Sequence, residues 1–252
     1  MRVFEKDLLN VSVFDTRKEM GRVAAANIEK AIARILKKKE VCNVIFAAAP
    51  SQNEVLEALA ASDSVEWDRV NAFHMDEYIG LPENAPQGFA NFLRRNLFDR
   101  VPFASVNCLD STADPKDEIE RYTKLLQENP TDIVVMGVGE NGHIAFNDPH
   151  VALFDDEAMV KVVELDEVCR KQQVHDGCFS RLETVPETAL TLTIPTLMAG
   201  EEVFCIVPGT TKADAVAHML TGPVTEDCPA SILRRHSMAK LYLDLDSAAK
   251  LD

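Results

Sequence analysis

VCNVIFAAAP, residues 41–50, is a nearly unbroken apolar run closed by proline, and Ser51-Gln52-Asn53 leads from it into a helical segment. A short run that is apolar at odd and even positions alike predicts a strand covered on both faces, as in a parallel sheet flanked by helices. Upstream, Thr16 and Glu19 stand at capping-box spacing, and Val23, Ala24, Ile28, Ile32, Ile35 and Leu36 follow at helical intervals. An amphipathic helix is therefore expected before the strand. Downstream the alternation recurs, with strands expected over 70–75, 133–137, 161–165, 189–194, 203–207 and 240–243, and helices over 88–98, 117–127, 196–199 and 212–220. This pattern predicts an α/β fold, a mainly parallel sheet with helices on both faces, whose ligands bind beyond the carboxyl ends of the strands.

The chain of 252 residues, 46% hydrophobic, is long enough to bury a substantial core. No Gly/Ser-rich or Pro-rich linker and no fixed-period repeat divides it, so residues 1–252 are expected to form a single domain. A formal net charge of -15 disfavours nucleic acid and anionic membranes as partners, because no basic run offsets the repulsion. Six cysteines occur without a C-x-x-C pair or zinc-finger spacing, which reads as reduced structural thiols. No signal peptide and no apolar run of about 20 residues is present, and a cytoplasmic protein is expected.

Candidate chemistry lies just after the predicted strands. Asp76 and Glu77 follow the strand at 70–75, and a carboxylate there can take a proton from a carbon next to a carbonyl. Standing alone, such a pair is more often a solvated turn. GVGENGHIAFNDP (137–149) follows the next strand. It contains G-x-G-x-x-G, but Pro149 argues against the long helix that a dinucleotide fingerprint requires. Gly137 and Gly139 instead read as backbone that a small ligand approaches closely. His143 is a candidate acid/base on a sugar ring oxygen, with Asp148 orienting the imidazole. In PGTTKA (208–213) a strand ends at a helix start, where Lys212 and backbone N–H groups suit a phosphate. Ser51 and Gln52 are further candidates for ligand contact, although Ser51 equally fits a simple N-cap.

Taken in order, FHMDEYIGL (73–81), residues 137–149, VPETALT (185–191), PGTTKA (208–213) and PASIL (229–233) resemble the glucosamine-6-phosphate deaminase family, within the superfamily that also holds 6-phosphogluconolactonases. The resemblance spans nearly the whole chain. It implies a modified Rossmann-like fold and conversion of an amino-hexose 6-phosphate, glucosamine 6-phosphate plus water to fructose 6-phosphate plus ammonia, with no cofactor and no metal. It matches Asp76 to the base for proton transfer between C2 and C1, His143 to the ring-opening acid/base, Asn141 and Asp148 to the positions flanking that histidine, and Lys212 to a phosphate-binding lysine.

The departures from the family pattern are local. The glycine- and threonine-rich phosphate loop of the family is here AAAPSQN (47–53), Asp148 stands where glutamate is commoner, and Asn141 replaces a carboxylate of some members. The family's substrate-phosphate arginine has no clear counterpart in the segment 170–177, where Arg170 and His175 are the nearest candidates. The acidic FDDE (154–157) replaces an arginine-bearing regulatory segment, so activation by an N-acetylated sugar phosphate is not expected. Relatives include monomers and symmetric assemblies, leaving a homo-oligomer open. The alternatives are a deaminase or isomerase for the galactosamine epimer, a lactonase, and a non-catalytic sugar-phosphate sensor.

Overall fold

The computed structural model describes residues 1–251. The chain runs β1 (Arg2–Lys6), β2 (Leu9–Phe14), α1 (Arg17–Leu36), β3 (Cys42–Phe46), α2 (Asn53–Ala60), β4 (Val70–His74), β5 (Asp76–Tyr78), α3 (Phe89–Leu93), β6 (Ser105–Asn107), α4 (Pro115–Glu128), β7 (Ile133–Met136), β8 (Val160–Glu164), α5 (Glu167–His175), β9 (Thr188–Leu192), α6 (Ile194–Met198), β10 (Glu202–Val207), α7 (Ala213–Thr221) and β11 (Ala239–Asp244). Among the described residues no helix is long and apolar enough to cross a membrane.

Eight strands form one sheet in the order β1-β2-β11-β10-β7-β3-β4-β6. Every neighbouring pair from β2 to β6 is parallel, and only the β1–β2 hairpin is antiparallel. The chain steps outward from β3 to β4 and β6, then returns to lay β7 on the opposite side of β3. Strand order thus reverses between β3 and β7, and a crevice opens beyond their carboxyl ends.

The central strands divide their side chains by the two-residue period of a strand. Val44, Phe46, Ile133, Val135, Phe204 and Ile206 face the layer containing α1 and α2. Ile45, Val134, Met136, Val203, Cys205 and Val207 face the layer containing α4, α6 and α7. The expected double covering explains why these segments read as continuous apolar runs. Helix α1 starts as anticipated, with Thr16 Oγ1 accepting from Glu19 N–H at 3.1 Å, and it buries Met20, Ala24, Ala25, Ile28, Ile32 and Ile35. Full burial of each large side chain contributes about 1.5–3 kcal/mol. A Cβ on Gly21 would fall 2.5 Å from Glu54 Cβ, so glycine at this position lets α1 and α2 pack closely.

Three features depart from the expected elements. The segments at 161–165 and 189–194 are strands, but they leave the main sheet and form a three-stranded antiparallel sheet, β5-β9-β8, with Asp76 paired to Thr191. The β1–β2 hairpin extends one edge of the main sheet. The helix expected over 88–98 is α3 followed by a wider, π-type turn at Arg94–Phe98.

Candidate active site

The crevice beyond the parallel strands is a cavity walled by the segments that follow β3, β4, β7 and β10, which supply Ser51 and Gln52, Asp76, Gly137, Gly139 and His143, and Lys212. Each arrives on a short connection whose backbone is fixed. Phe146 N–H donates to Thr191 Oγ1 and Asn147 Nδ2 to Leu192 O, which ties the loop after β7 to the second sheet. Gly209, with φ of 93°, donates its N–H to both oxygens of Asp244 at the end of β11. That bond anchors the loop carrying Lys212, and the positive φ favours glycine there.

The imidazole of His143 is oriented from behind. Its Nδ1 lies 2.7 Å from Asn141 Oδ1 and 3.0 Å from Asp148 Oδ1, both acceptors. Nδ1 therefore carries a proton, and Nε2 is left to serve a ligand. Asn141 Nδ2 in turn donates to Asp148 Oδ1 and Asp166 Oδ2, while Asp148 Oδ2 accepts from Asp166 N–H. Burial opposes the charge of Asp148, but the hydrogen bonds from His143, Asn141 and Asp166 outweigh it and hold its carboxyl below the usual range. The shorter aspartate thus still reaches the ring.

Asp76 opens β5, and its carboxyl is 7% exposed. Burial, with the neighbouring Glu77 carboxylate adding and the His74 imidazole opposing, pushes its pKa up to about 7. A carboxylate that holds a proton near neutrality is a stronger base than an exposed aspartate. In the same cavity, Lys212 is 5% exposed and its Nζ has no hydrogen-bond partner. Burial lowers its pKa despite the Asp176 and Glu140 carboxylates. Gln52 is also buried, donating to Ser51 Oγ and Ile206 O, while its Oε1 is unpartnered. A Cβ on Gly137 would meet Gln52 Nε2 at 3.0 Å and Ser51 Oγ at 3.3 Å, so glycine keeps the space beside these two side chains open.

Three expected contacts are placed elsewhere. Glu77 turns away from the cavity and accepts the N–H groups of Tyr78, Phe89 and Ala90, because successive residues of a strand face opposite sides. Arg170 donates to Leu182 O and Val185 O and faces Glu187. His175 is largely exposed, 3.7 Å from Glu140. Conversely, Arg17, Gln173 and Asp176 line the cavity without having been singled out in the sequence.

His143, Asp148 and Cys169 bring ligand-type atoms within 4.8 Å of one another. Asp148 is already engaged by ring, amide and backbone donors, and burial first, then the carboxylates of Asp148, Asp166 and Asp76, keep the Cys169 thiol protonated well above its ordinary range. The cluster has the chemistry of a hydrogen-bonded support for the imidazole.

Residues 15–242 match the family described as glucosamine-6-phosphate isomerases/6-phosphogluconolactonase. The chain is 38% identical over 190 residues to a glucosamine-6-phosphate deaminase of Exiguobacterium sibiricum, covering 75% of this chain and 73% of that protein. It is 35% identical over 243 residues to a glucosamine-6-phosphate deaminase of an Exiguobacterium species, covering 96% and 92% respectively. Its backbone superposes with a TM-score of 0.86 on a monomeric glucosamine-6-phosphate deaminase at 27% identity, covering 95% of this chain and 99% of that one.

Proposed function

This chain belongs to the glucosamine-6-phosphate isomerase/6-phosphogluconolactonase family, and from that membership we propose that it converts glucosamine 6-phosphate and water to fructose 6-phosphate and ammonia. The observation that carries this reading is the pair facing one cavity: a buried Asp76 carboxyl raised to about 7 and a His143 whose Nδ1 is committed to Asn141 and Asp148.

In the proposed reaction, His143 Nε2 exchanges a proton with the ring oxygen as the hexose opens to the C1 aldehyde. The aldehyde acidifies the C2 proton, which Asp76 removes to leave an enolamine. Asp76 returns that proton to C1, nitrogen becomes an imine at C2, and water hydrolyses it to the ketone with loss of ammonia. Each well-placed acid/base group contributes about 10²- to 10⁴-fold. Lys212 and Ser51 hold the phosphate. A nearly fully buried ammonium without a partner is costly, and a dianionic ligand supplies the missing interaction. We read the chain as one domain acting in the cytoplasm on a small sugar phosphate.

Ammonia release by the purified protein tests the reading, with glucosamine 6-phosphate set against its galactosamine epimer and 6-phosphogluconolactone. Hydrolysis of the lactone without ammonia from either amino sugar would replace deamination with the other activity named for the family.

A further inference from the structure

Taking the cavity as a sugar-phosphate site, we infer that Arg17, the first residue of α1, is the arginine that grips the phosphate together with Lys212. The segment 170–177, where the family resemblance led to the expectation of such an arginine, cannot supply it: Arg170 is turned into backbone carbonyls, and Gln173 and Asp176 line the cavity instead. Asp176 and Glu140 also place negative charge near Lys212. One buried lysine facing two carboxylates is a weak receptor for a dianion, and a second cation corrects the balance.

Arg17 lines the same cavity as Ser51, Thr210 and Lys212. Its guanidinium is held in place, with Nε donating to Glu54 Oε1 at 2.6 Å and Nη2 to Pro50 O at 2.6 Å. Nη1 takes part in neither bond. Pro50 immediately precedes Ser51, so the arginine is tied to the loop that carries a proposed phosphate contact. The close approach of α1 to α2 at Gly21 sets Glu54 within reach of Arg17. A guanidinium positioned in this way loses little freedom on binding, and its planar fork suits phosphate oxygens. Lys212 Nζ, buried and without a partner in the same cavity, independently calls for an anion.

The test is calorimetric binding of inorganic phosphate, with steady-state kinetics on glucosamine 6-phosphate and on unphosphorylated glucosamine. Arg17→Ala is expected to weaken phosphate binding and raise KM for the phosphorylated sugar about 10- to 100-fold, a larger loss than in kcat/KM for glucosamine, which has no phosphate to grip. Arg17→Lys should recover part of the loss. The double variant Arg17→Ala/Glu54→Ala separates a lost contact from a newly unpaired carboxylate that repels phosphate. The assignment predicts that it stays weak, and restored affinity overturns it. Wild-type-like phosphate binding by Arg17→Ala, or no measurable phosphate binding by the wild type, also overturns it. Arg17-dependent phosphate binding without ammonia release would leave the assignment standing and remove the proposed reaction.

Discussion

A Cβ on Gly139 would lie 2.1 Å from Cε1 and 2.3 Å from each ring nitrogen of His143, so the imidazole occupies the space that any side chain at 139 requires. Gly139 N–H also donates to His143 O at 2.9 Å, which fixes the two residues to each other through the backbone. Gly139→Ala is therefore expected to displace the ring while the sheet folds normally. Turnover should fall by about 10²-fold or more, as small misplacements of catalytic groups do, with an unchanged circular dichroism spectrum. Normal turnover would show that the ring has another productive position.

The Asp76 carboxyl makes two linked predictions. The proposed base is active only when ionised, so kcat/KM should rise with pH and level off above about 7. Its folded pKa is raised above the ordinary 3.8, so the folded protein binds the extra proton between those values. Stability from this group is then greatest below about 4 and declines as pH rises to about 7. Asp76→Asn should lose ammonia release by at least about 10²-fold yet melt higher than wild type at pH 8. A lower melting temperature at pH 8 would contradict the assignment.

Asp148 behaves in the opposite sense. Its folded pKa is depressed, so its contribution is present above the unfolded value and is lost as pH falls through the folded one. Asp148→Asn presents the imidazole with an amide in place of a charged acceptor. Turnover should drop by about 10²-fold or more as the Nδ1–H tautomer loses support, and the acid-side loss of stability should shrink. A melting curve series from pH 3 to 7 together with rates at pH 8 checks both.

Glu77→Gln is expected to be a folding variant with a catalytic signature. The amide cannot accept from all of Tyr78, Phe89 and Ala90, so stability should fall by about 1–3 kcal/mol. Removing the adjacent negative charge also lowers the pKa of Asp76, and the acid limb of the pH-rate profile should move to lower pH. An unmoved limb would show that Glu77 does not reach Asp76 electrostatically.

The central parallel strands were legible because burial on both faces leaves an uninterrupted apolar run, and the capped α1 because its periodicity is long. The second sheet was not. Periodicity marked 161–165 and 189–194 as strands, but nothing within a strand states which sheet it joins. Asp76–Tyr78 is three residues long and polar at two of them, too short to show alternation. Recognising it as a strand would have separated Asp76 from Glu77, since neighbours point to opposite faces. Arg17 left no local signal at all: it is one charged residue in a first helical turn, brought to the cavity by the α1–α2 packing. The placement of the candidate acid/base residues is readable because they follow strands directly, whereas Arg170 and His175 lie on α5, a helix that the sequence does not announce and whose rotation it does not display.

The parallel partner of β2 is β11, with Val11 opposite Leu241. More than two hundred residues separate these paired strands in the chain, so during synthesis this edge of β2 stays open until β11 has emerged. The β1–β2 hairpin is local in sequence and satisfies the other edge of β2 without waiting for β11. The Asp244 carboxylate that clamps Gly209 arrives on the same late strand, so the loop bearing Lys212 gains its anchor only when translation has passed β11.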